Sequence, residues 1–241
     1  MFCQTCDAKR RTIVMKAAVD LPSRKTGTDH VFETLFGQIV RLELLPGTKI
    51  SETETAKSFG FSRQPVREAF TRLANLNLLL IRPQRATIVR PFSKEIISNA
   101  RFIRAAIELE VIRAVARNRD TSVDAELRAN MRAQRDAISR ENAEDFHELD
   151  YQFHKLLCRA SGNAFAFEII AANKAQVDRL CMLSLTSQQA METLYADHEA
   201  LLDALFKRDA ETGERVLRTH LDRLTPTIEA LYTTHRSYFE E

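Results

Sequence analysis

From position 92 onward apolar residues recur three and four apart, the repeat of an amphipathic helix and not the alternation of a strand. Five of the six prolines lie at or before Pro91, and only Gly162 and Gly213 follow it. With so few breakers, the stretch from Phe92 to Leu224 is predicted as successive amphipathic helices. The first third of the chain is patterned differently, because proline and glycine cut it into short units.

Residues 1–28 are polar and basic and read as a flexible tail. Asp29 is the expected N-cap of a helix to about Leu42, with Val31, Leu35, Ile39 and Leu42 on one face. Leu45-Pro46-Gly47-Thr48 ends it in a turn. Ser51-x-x-Glu54 has capping-box spacing and opens a short helix that Gly60 stops near Phe59. Ser62 caps the next helix, to about Asn75, and Pro65 falls in its first turn, where a missing N–H costs nothing. Leu78 to Arg82 and Ala86 to Arg90 read as two short strands around Pro83-Gln84-Arg85. The predicted order is helix, helix, turn, helix, hairpin.

Charge divides the chain at the same place. The net charge is +2, yet residues 1–90 hold 15 Lys and Arg against 8 Asp and Glu, whereas residues 91–241 hold 20 against 25. Only the first part is suited to a polyanion. No run of 18 apolar residues occurs and the N-terminus lacks a secretory apolar core, so no membrane partner and a cytoplasmic location are expected. Four cysteines, Cys3, Cys6, Cys158 and Cys181, are too few for a disulfide framework. Cys3-x-x-Cys6 has metal or redox spacing but stands without a second pair, and Met15 is an alternative start that would remove it.

The segment from Phe59 to Phe70 sets a glycine turn between two helices, as a helix-turn-helix requires. Its second helix presents Ser62, Arg63, Gln64 and Arg67 near its N-terminus, while Val66, Ala69, Phe70 and Leu73 form the opposite stripe. Arginine can hold a phosphate or both acceptors of a guanine edge. Solvated surface arginines would be the bland alternative, but turn, cap, hairpin and basic excess agree on double-stranded DNA. Residues 29–91 resemble the winged helix-turn-helix domain of the GntR family of bacterial regulators, through Ser62-Arg63-Gln64-Pro65-Val66-Arg67-Glu68-Ala69 and the preceding Leu45-Pro46-Gly47 and Ile50-Ser51-Glu52. The resemblance implies DNA contacts by Ser62, Arg63, Gln64 and Arg67, with Gln84 and Arg85 at the wing tip. Thr53 stands where some members have an arginine, and Ala86 where relatives have a wing glycine. The second departure is expected to alter the wing turn, since alanine tolerates positive φ poorly.

The chain has six histidines, and Asp150 and His154 stand four apart on a helical stretch, so both can face one ion. His198 and His220 sit in later helices. Three imidazoles and a carboxylate suit Zn²⁺, Ni²⁺ or Mn²⁺ with positions left open, although His147 competes as a ligand and spacing alone leaves ordinary polar residues as an alternative. Residues 94–223 resemble the FCD effector domain of the FadR subfamily, through Asp150-x-x-x-His154 with Phe153 before the histidine, then His198 and His220. That resemblance implies a bundle of six or seven helices, a divalent metal on Asp150, His154, His198 and His220, and Arg104 turned toward a bound ligand. A guanidinium beside a metal with open positions suits a small carboxylate. Arg101, one turn away, is the alternative to Arg104, and Arg179 and Asn173 are further candidates for the cavity lining.

The expected fold is therefore mainly α: a tail over 1–28, a winged helix-turn-helix domain over 29–91, and an all-α effector-binding and dimerisation domain over 92–241. The expected function is that of a homodimeric regulator, not an enzyme, binding operator DNA and responding to a small organic acid. A metal-dependent enzyme and a dimerisation module with a structural metal are the alternatives.

Overall fold

The computed structural model describes residues 26–185 and 187–240. Most of the expected tail, with Cys3, Cys6 and Met15, lies outside them. Residues 26–28, however, are not tail. Helix α1 (Gly27–Val40) begins at Thr26, whose hydroxyl accepts from Asp29 N at 3.1 Å while the Asp29 carboxylate accepts from Thr26 N at 3.1 Å. Asp29 is thus the third helical residue of a capping box and not the cap, because threonine and aspartate three apart satisfy each other's exposed donors.

Strand β1 (Lys49–Ile50), helix α2 (Glu52–Phe59) and helix α3 (Arg63–Asn75) follow, then β2 (Leu79–Leu80) and β3 (Thr87–Val89). Ser51 caps α2 by accepting from Glu54 N, one half of the box that the spacing suggested. The hairpin strands are shorter than predicted, and β1 joins them antiparallel in the order β1-β3-β2. Two residues carry no readable alternation, which is why the third strand was invisible in the sequence. The wing turn corrects another expectation. The residue with positive φ is Gln84, at 56°, and not Ala86, so alanine there meets no backbone conflict.

Gly60 closes α2 at φ 69°, with nothing near the position a Cβ would take. Gly60→Ala is therefore expected to cost about 1 kcal/mol through backbone strain alone. Chemical denaturation would show this as a lower midpoint at unchanged slope, and an unchanged midpoint would contradict it.

The bundle comprises α4 (Lys94–Arg117), α5 (Asp124–Ser139), α6 (Ala143–Ala160), α7 (Phe165–Ser184), α8 (Gln188–Phe206), α9 (Ala210–Asp222) and α10 (Thr225–Thr234). Ser93, Asn142, Ser187 and Asp209 cap α4, α6, α8 and α9 with their side chains. The bundle core collects Ile112, Leu127, Ile138, Phe153, Leu201 and Leu217, all nearly inaccessible. Burying each such side chain contributes roughly 1.5–3 kcal/mol.

The N-terminal unit has its own core. The α1 face of Val31, Leu35 and Ile39 packs on the α3 stripe of Val66, Ala69, Phe70 and Leu73, with Leu79 and Val89 from the sheet. This packing turns the other side of α3 outward, leaving Ser62, Arg63, Gln64 and Arg67 exposed. Ala175 of α7 also joins this cluster, so the two parts of the chain share an apolar contact.

Candidate functional site

Along α6 the inward face runs Phe146, Asp150, Phe153, His154 and Leu157, all buried. The helical repeat that points the phenylalanines and leucine into the bundle carries Asp150 and His154 with them. His198 from α8 and His220 from α9 arrive at the same place, because the apolar faces of those helices, with Leu201, Leu205 and Leu217, pack on the same core.

The four expected ligand residues converge. One donor atom from each of Asp150, His154, His198 and His220 lies within 4.8 Å of all the others. His154 Nε2 and His220 Nε2 are 3.2 Å apart, and Asp150 Oδ1 lies 3.3 Å from His198 Nε2, 3.8 Å from His154 Nε2 and 3.9 Å from His220 Nε2. Each imidazole therefore offers the same nitrogen inward.

The other ring nitrogens explain why. His154 Nδ1 is 2.7 Å from Glu108 Oε2, His198 Nδ1 is 2.8 Å from Gln134 Oε1, and His220 Nδ1 is 3.7 Å from Asp197 Oδ2. On His198 the Gln134 acceptor holds the proton on Nδ1 and leaves the Nε2 lone pair facing inward, the arrangement a metal-binding histidine needs, while Glu108 and Asp197 stand behind the other two rings, Asp197 beyond hydrogen-bond distance. These acceptors are held in turn. Arg104 Nε donates to Glu108 Oε1 at 2.6 Å, Gln134 Nε2 donates to Asn130 Oδ1 at 2.7 Å, and Arg223 grips both oxygens of Asp197 at 3.0 Å.

Titration behaviour agrees with that frame. Burial pushes His198 down to about 4 and lowers His154 as well, so both rings are neutral near pH 7. Burial works against the charge on Asp150, but the His198 contact and the surrounding imidazoles outweigh it and hold the carboxyl well below its ordinary range. Among the described residues, the fully buried His198 Nε2 has no hydrogen-bond partner. A buried lone pair without a donor is costly in a protein that binds nothing there. Three imidazole nitrogens and one carboxylate oxygen, with an orphaned acceptor among them, fit a divalent ion.

Asp150 and His220 also line a cavity of about 410 Å³ bounded by α4, α6, α7, α8 and the α9–α10 corner. Its walls are largely apolar, through Ile97, Phe146, Val177, Leu185, Leu194 and Ile228. Arg104 and Arg101 both line it, so the choice between them is not exclusive. Arg104 is the deeper of the two, bound to Glu108, whereas Arg101 is tied to Asp222 at 3.2 Å and Thr225 at 2.8 Å. His147 lines the same cavity but faces Asp178 at 3.9 Å and stands outside the four-residue cluster. Arg179 does not reach the cavity: it is buried over the Phe92 ring and donates to Arg90 O at 2.8 Å. Asn173 is exposed on α7.

Sequence reasoning missed Glu108, Gln134, Asp197 and Arg223. Glu108 lies one turn from Arg104 and Asp197 adjoins His198, but nothing in the local pattern marks either as an imidazole partner. Gln134 is a fully buried amide on α5, a position that only packing identifies.

On the N-terminal unit, Glu52 lies 3.5 Å from Arg63 and 3.3 Å from Arg67, and Gln64 donates to Glu68 at 2.9 Å. Gln84 and Arg85 are exposed at the wing tip. No acidic residue lies in the first turn of α3 itself.

Known proteins share this order of domains. Residues 28–89 match the family of bacterial regulatory proteins named gntR, and residues 100–223 match the FCD domain. The HTH-type transcriptional repressor RspR of Escherichia coli K12 is 37% identical over 212 residues, spanning 88% of this chain and 93% of the relative. A probable D-xylose utilization operon transcriptional repressor of Paenarthrobacter nicotinovorans is 28% identical over 85% of this chain and 89% of its own length. Among solved structures, E. coli McbR/YncC superposes with a TM-score of 0.70 at 22% identity, covering 87% of this chain and 99% of that one. A GntR regulator from Rhodococcus sp. RHA1 superposes at 0.71 and 20% identity, covering 84% and 98%. The two structures establish the shared fold, and the family matches with the long alignment to RspR establish descent: the chain belongs to the GntR family of bacterial transcriptional regulators, with a helix-turn-helix domain followed by an FCD domain.

Proposed function

We propose that this regulator senses a small carboxylate at a divalent metal held by Asp150, His154, His198 and His220. The observation that carries the reading is the convergence of three Nε2 atoms and the Asp150 carboxylate, each ring backed on its Nδ1 side by a polar side chain, beside a cavity that Asp150, His220 and Arg104 line. A divalent ion bound there, Zn²⁺, Ni²⁺ or Mn²⁺, supplies a Lewis-acidic site for a carboxylate oxygen. The chain's own residues do the rest. Burial keeps the His154 and His198 imidazoles neutral, Glu108 orients both His154 and Arg104, and the Arg104 guanidinium offers donors suited to a carboxylate. Apolar walls then select the remainder of the ligand.

The reading extends to DNA. Ser62, Arg63, Gln64 and Arg67 on α3, with Gln84 and Arg85 at the wing, are the residues we assign to operator contact, and a homodimer would present two such units to a twofold site. A protein that meets the chromosome is expected in the cytoplasm, and among the described residues no helix is long and apolar enough to cross a membrane. Sensing is favoured over a purely structural metal because the cluster opens onto a cavity, whereas structural sites are closed. Regulation is favoured over catalysis by the family, and an assay for turnover of bound carboxylates tests that choice directly.

The experiment is titration of the zinc-loaded protein with a panel of small carboxylates, read by calorimetry and by affinity for an operator duplex selected from random DNA. Heat and altered duplex affinity with at least one acid are expected, both reduced by Arg104→Met. An inert panel with fully metal-loaded protein would remove the carboxylate reading. Gln134→Leu tests the tethering separately: zinc affinity is expected to fall roughly 10- to 100-fold, the effect of losing an orienting partner. Unchanged affinity in a competition with a fluorescent chelator would contradict it.

A further inference from the structure

Helix α10 and the residues after it lie beyond the segment that matches the FCD domain, which stops at residue 223. The two ends of this segment touch different parts of the molecule. At its start, Leu224 and Ile228 form part of the cavity wall. At its end it pairs in parallel with the linker between the two units: Phe92 N donates to Tyr238 O at 2.7 Å, and Glu240 N donates to Phe92 O at 2.9 Å. Phe239 is buried beside Phe92, their ring centroids 5.4 Å apart.

One apolar cluster spans the distance between those ends. Ile97, Val177, Leu224 and Ile228 belong both to it and to the cavity wall, while Phe92 and Phe239 belong to it and to the linker contact. Close-packed interiors transmit a change in one wall to the next layer, since there is little free volume to absorb it.

Beyond Phe92 the contact reaches Arg90, at the end of β3. Arg90 Nε donates to Glu240 Oε1 at 2.7 Å, and its Nη1 donates to Asn77 Oδ1 at 2.9 Å. Its backbone N donates to Leu78 O at 2.8 Å. Asn77 lies in the turn that ends α3 and has a positive φ of 58°. Glu240, Arg90 and Asn77 therefore form a polar chain from the C-terminal segment to the end of the exposed helix.

We propose that residues 225–240 are a strap that relays the filling of the cavity to the DNA-binding unit, with Phe239 and Glu240 as positioning residues acting through Phe92 and Arg90. Filling the cavity repositions α10 through Leu224 and Ile228, and the strap changes its hold on the linker and on the turn after α3. Helix α7 offers a parallel route, since it lines the cavity with Val177 and Cys181 and reaches the N-terminal unit through Ala175, Gln176 and Arg179. The test must separate the two.

Ile228→Trp fills the cavity from α10 without any ligand, and hydrogen exchange of the full-length protein, read by mass spectrometry, reports on residues 87–92. With the strap intact, exchange there is expected to change about tenfold, while peptides of α5 stay as in the parent. In chains that also carry Phe239→Ala or Glu240→Gln, the same substitution is expected to change it less than about twofold. An equal change in all three backgrounds would assign the relay to α7 and overturn the proposal, as would unchanged exchange at 87–92 in the intact chain. Should Phe239→Ala fail to fold, the near-isosteric Glu240→Gln decides alone. Should Ile228→Trp disturb α5, Ile228→Phe takes its place. No metal or carboxylate enters the measurement, so its failure leaves the sensor reading standing.

Discussion

Purified from metal-replete medium, the protein is expected to carry about one divalent ion per chain, and a variant with His198→Ala and His220→Ala less than about a tenth of that. The two substitutions leave Asp150 and His154, an i, i+4 pair on α6 that supplies two donors where the intact cluster supplies four. His198 is the most demanding member: it is fully buried, neutral down to about pH 4, and its inward nitrogen has no hydrogen-bond partner among the described residues. Binding that is confined to the folded state adds about 4 kcal/mol when free metal stands a thousandfold above its Kd. For a chain of this size that corresponds to roughly 10 °C in Tm. Chelation should thus lower the Tm of the parent and leave that of the variant unchanged. Elemental analysis gives the stoichiometry, circular dichroism confirms that the variant folds, and thermal scans with and without chelator give the linkage. A parent whose Tm ignores the chelator, or a folded variant that keeps its metal, would sink the metal centre.

Replacing Arg63 and Arg67 by alanine is expected to weaken binding to a selected operator duplex by roughly 10- to 100-fold for each arginine. Both side chains are largely exposed, at 61% and 58%, so their removal disturbs no core. Glu52 holds both in the free protein, yet an exposed ion pair is worth little, and exchanging it for a phosphate or a guanine edge is cheap. The salt dependence distinguishes the two roles. If an arginine holds a phosphate, the slope of log affinity against log salt falls by about one when it is removed; if it reads a base, selectivity relaxes at one position with the slope less affected. Full affinity in both variants would show that α3 does not face DNA.

The helix-turn-helix was legible because its determinants are local. Gly60 at a positive φ, Pro65 in the first turn and the stripe of Val66, Ala69, Phe70 and Leu73 each act within a few residues, so the pattern specifies the element wherever it is found. The same locality explains the errors. Thr26 displaced Asp29 as the cap because two cap-competent residues stood three apart, and only the backbone decides which of them is the third helical residue. Strand β1 is two residues long, and its existence depends on β3 lying beside it. Gln84 and not Ala86 took the left-handed position in the wing, a matter of where the hairpin register falls.

By itself the sequence determined the helical elements and the two strands of the wing hairpin, the polarity of the chain from basic to acidic, and, through the resemblance in its motifs, the four residues that could meet at a metal. Tertiary structure alone decided that Glu108, Gln134 and Asp197 stand behind three imidazoles, that Arg104 and Arg101 share one cavity, and that the C-terminal segment returns to the linker at Phe92. The physical reason is range. Caps, turns and amphipathic stripes arise from interactions within one or two helical turns, whereas an outer hydrogen bond to a histidine 64 residues away exists only after the cores of α5, α6, α8 and α9 have packed and set those side chains side by side.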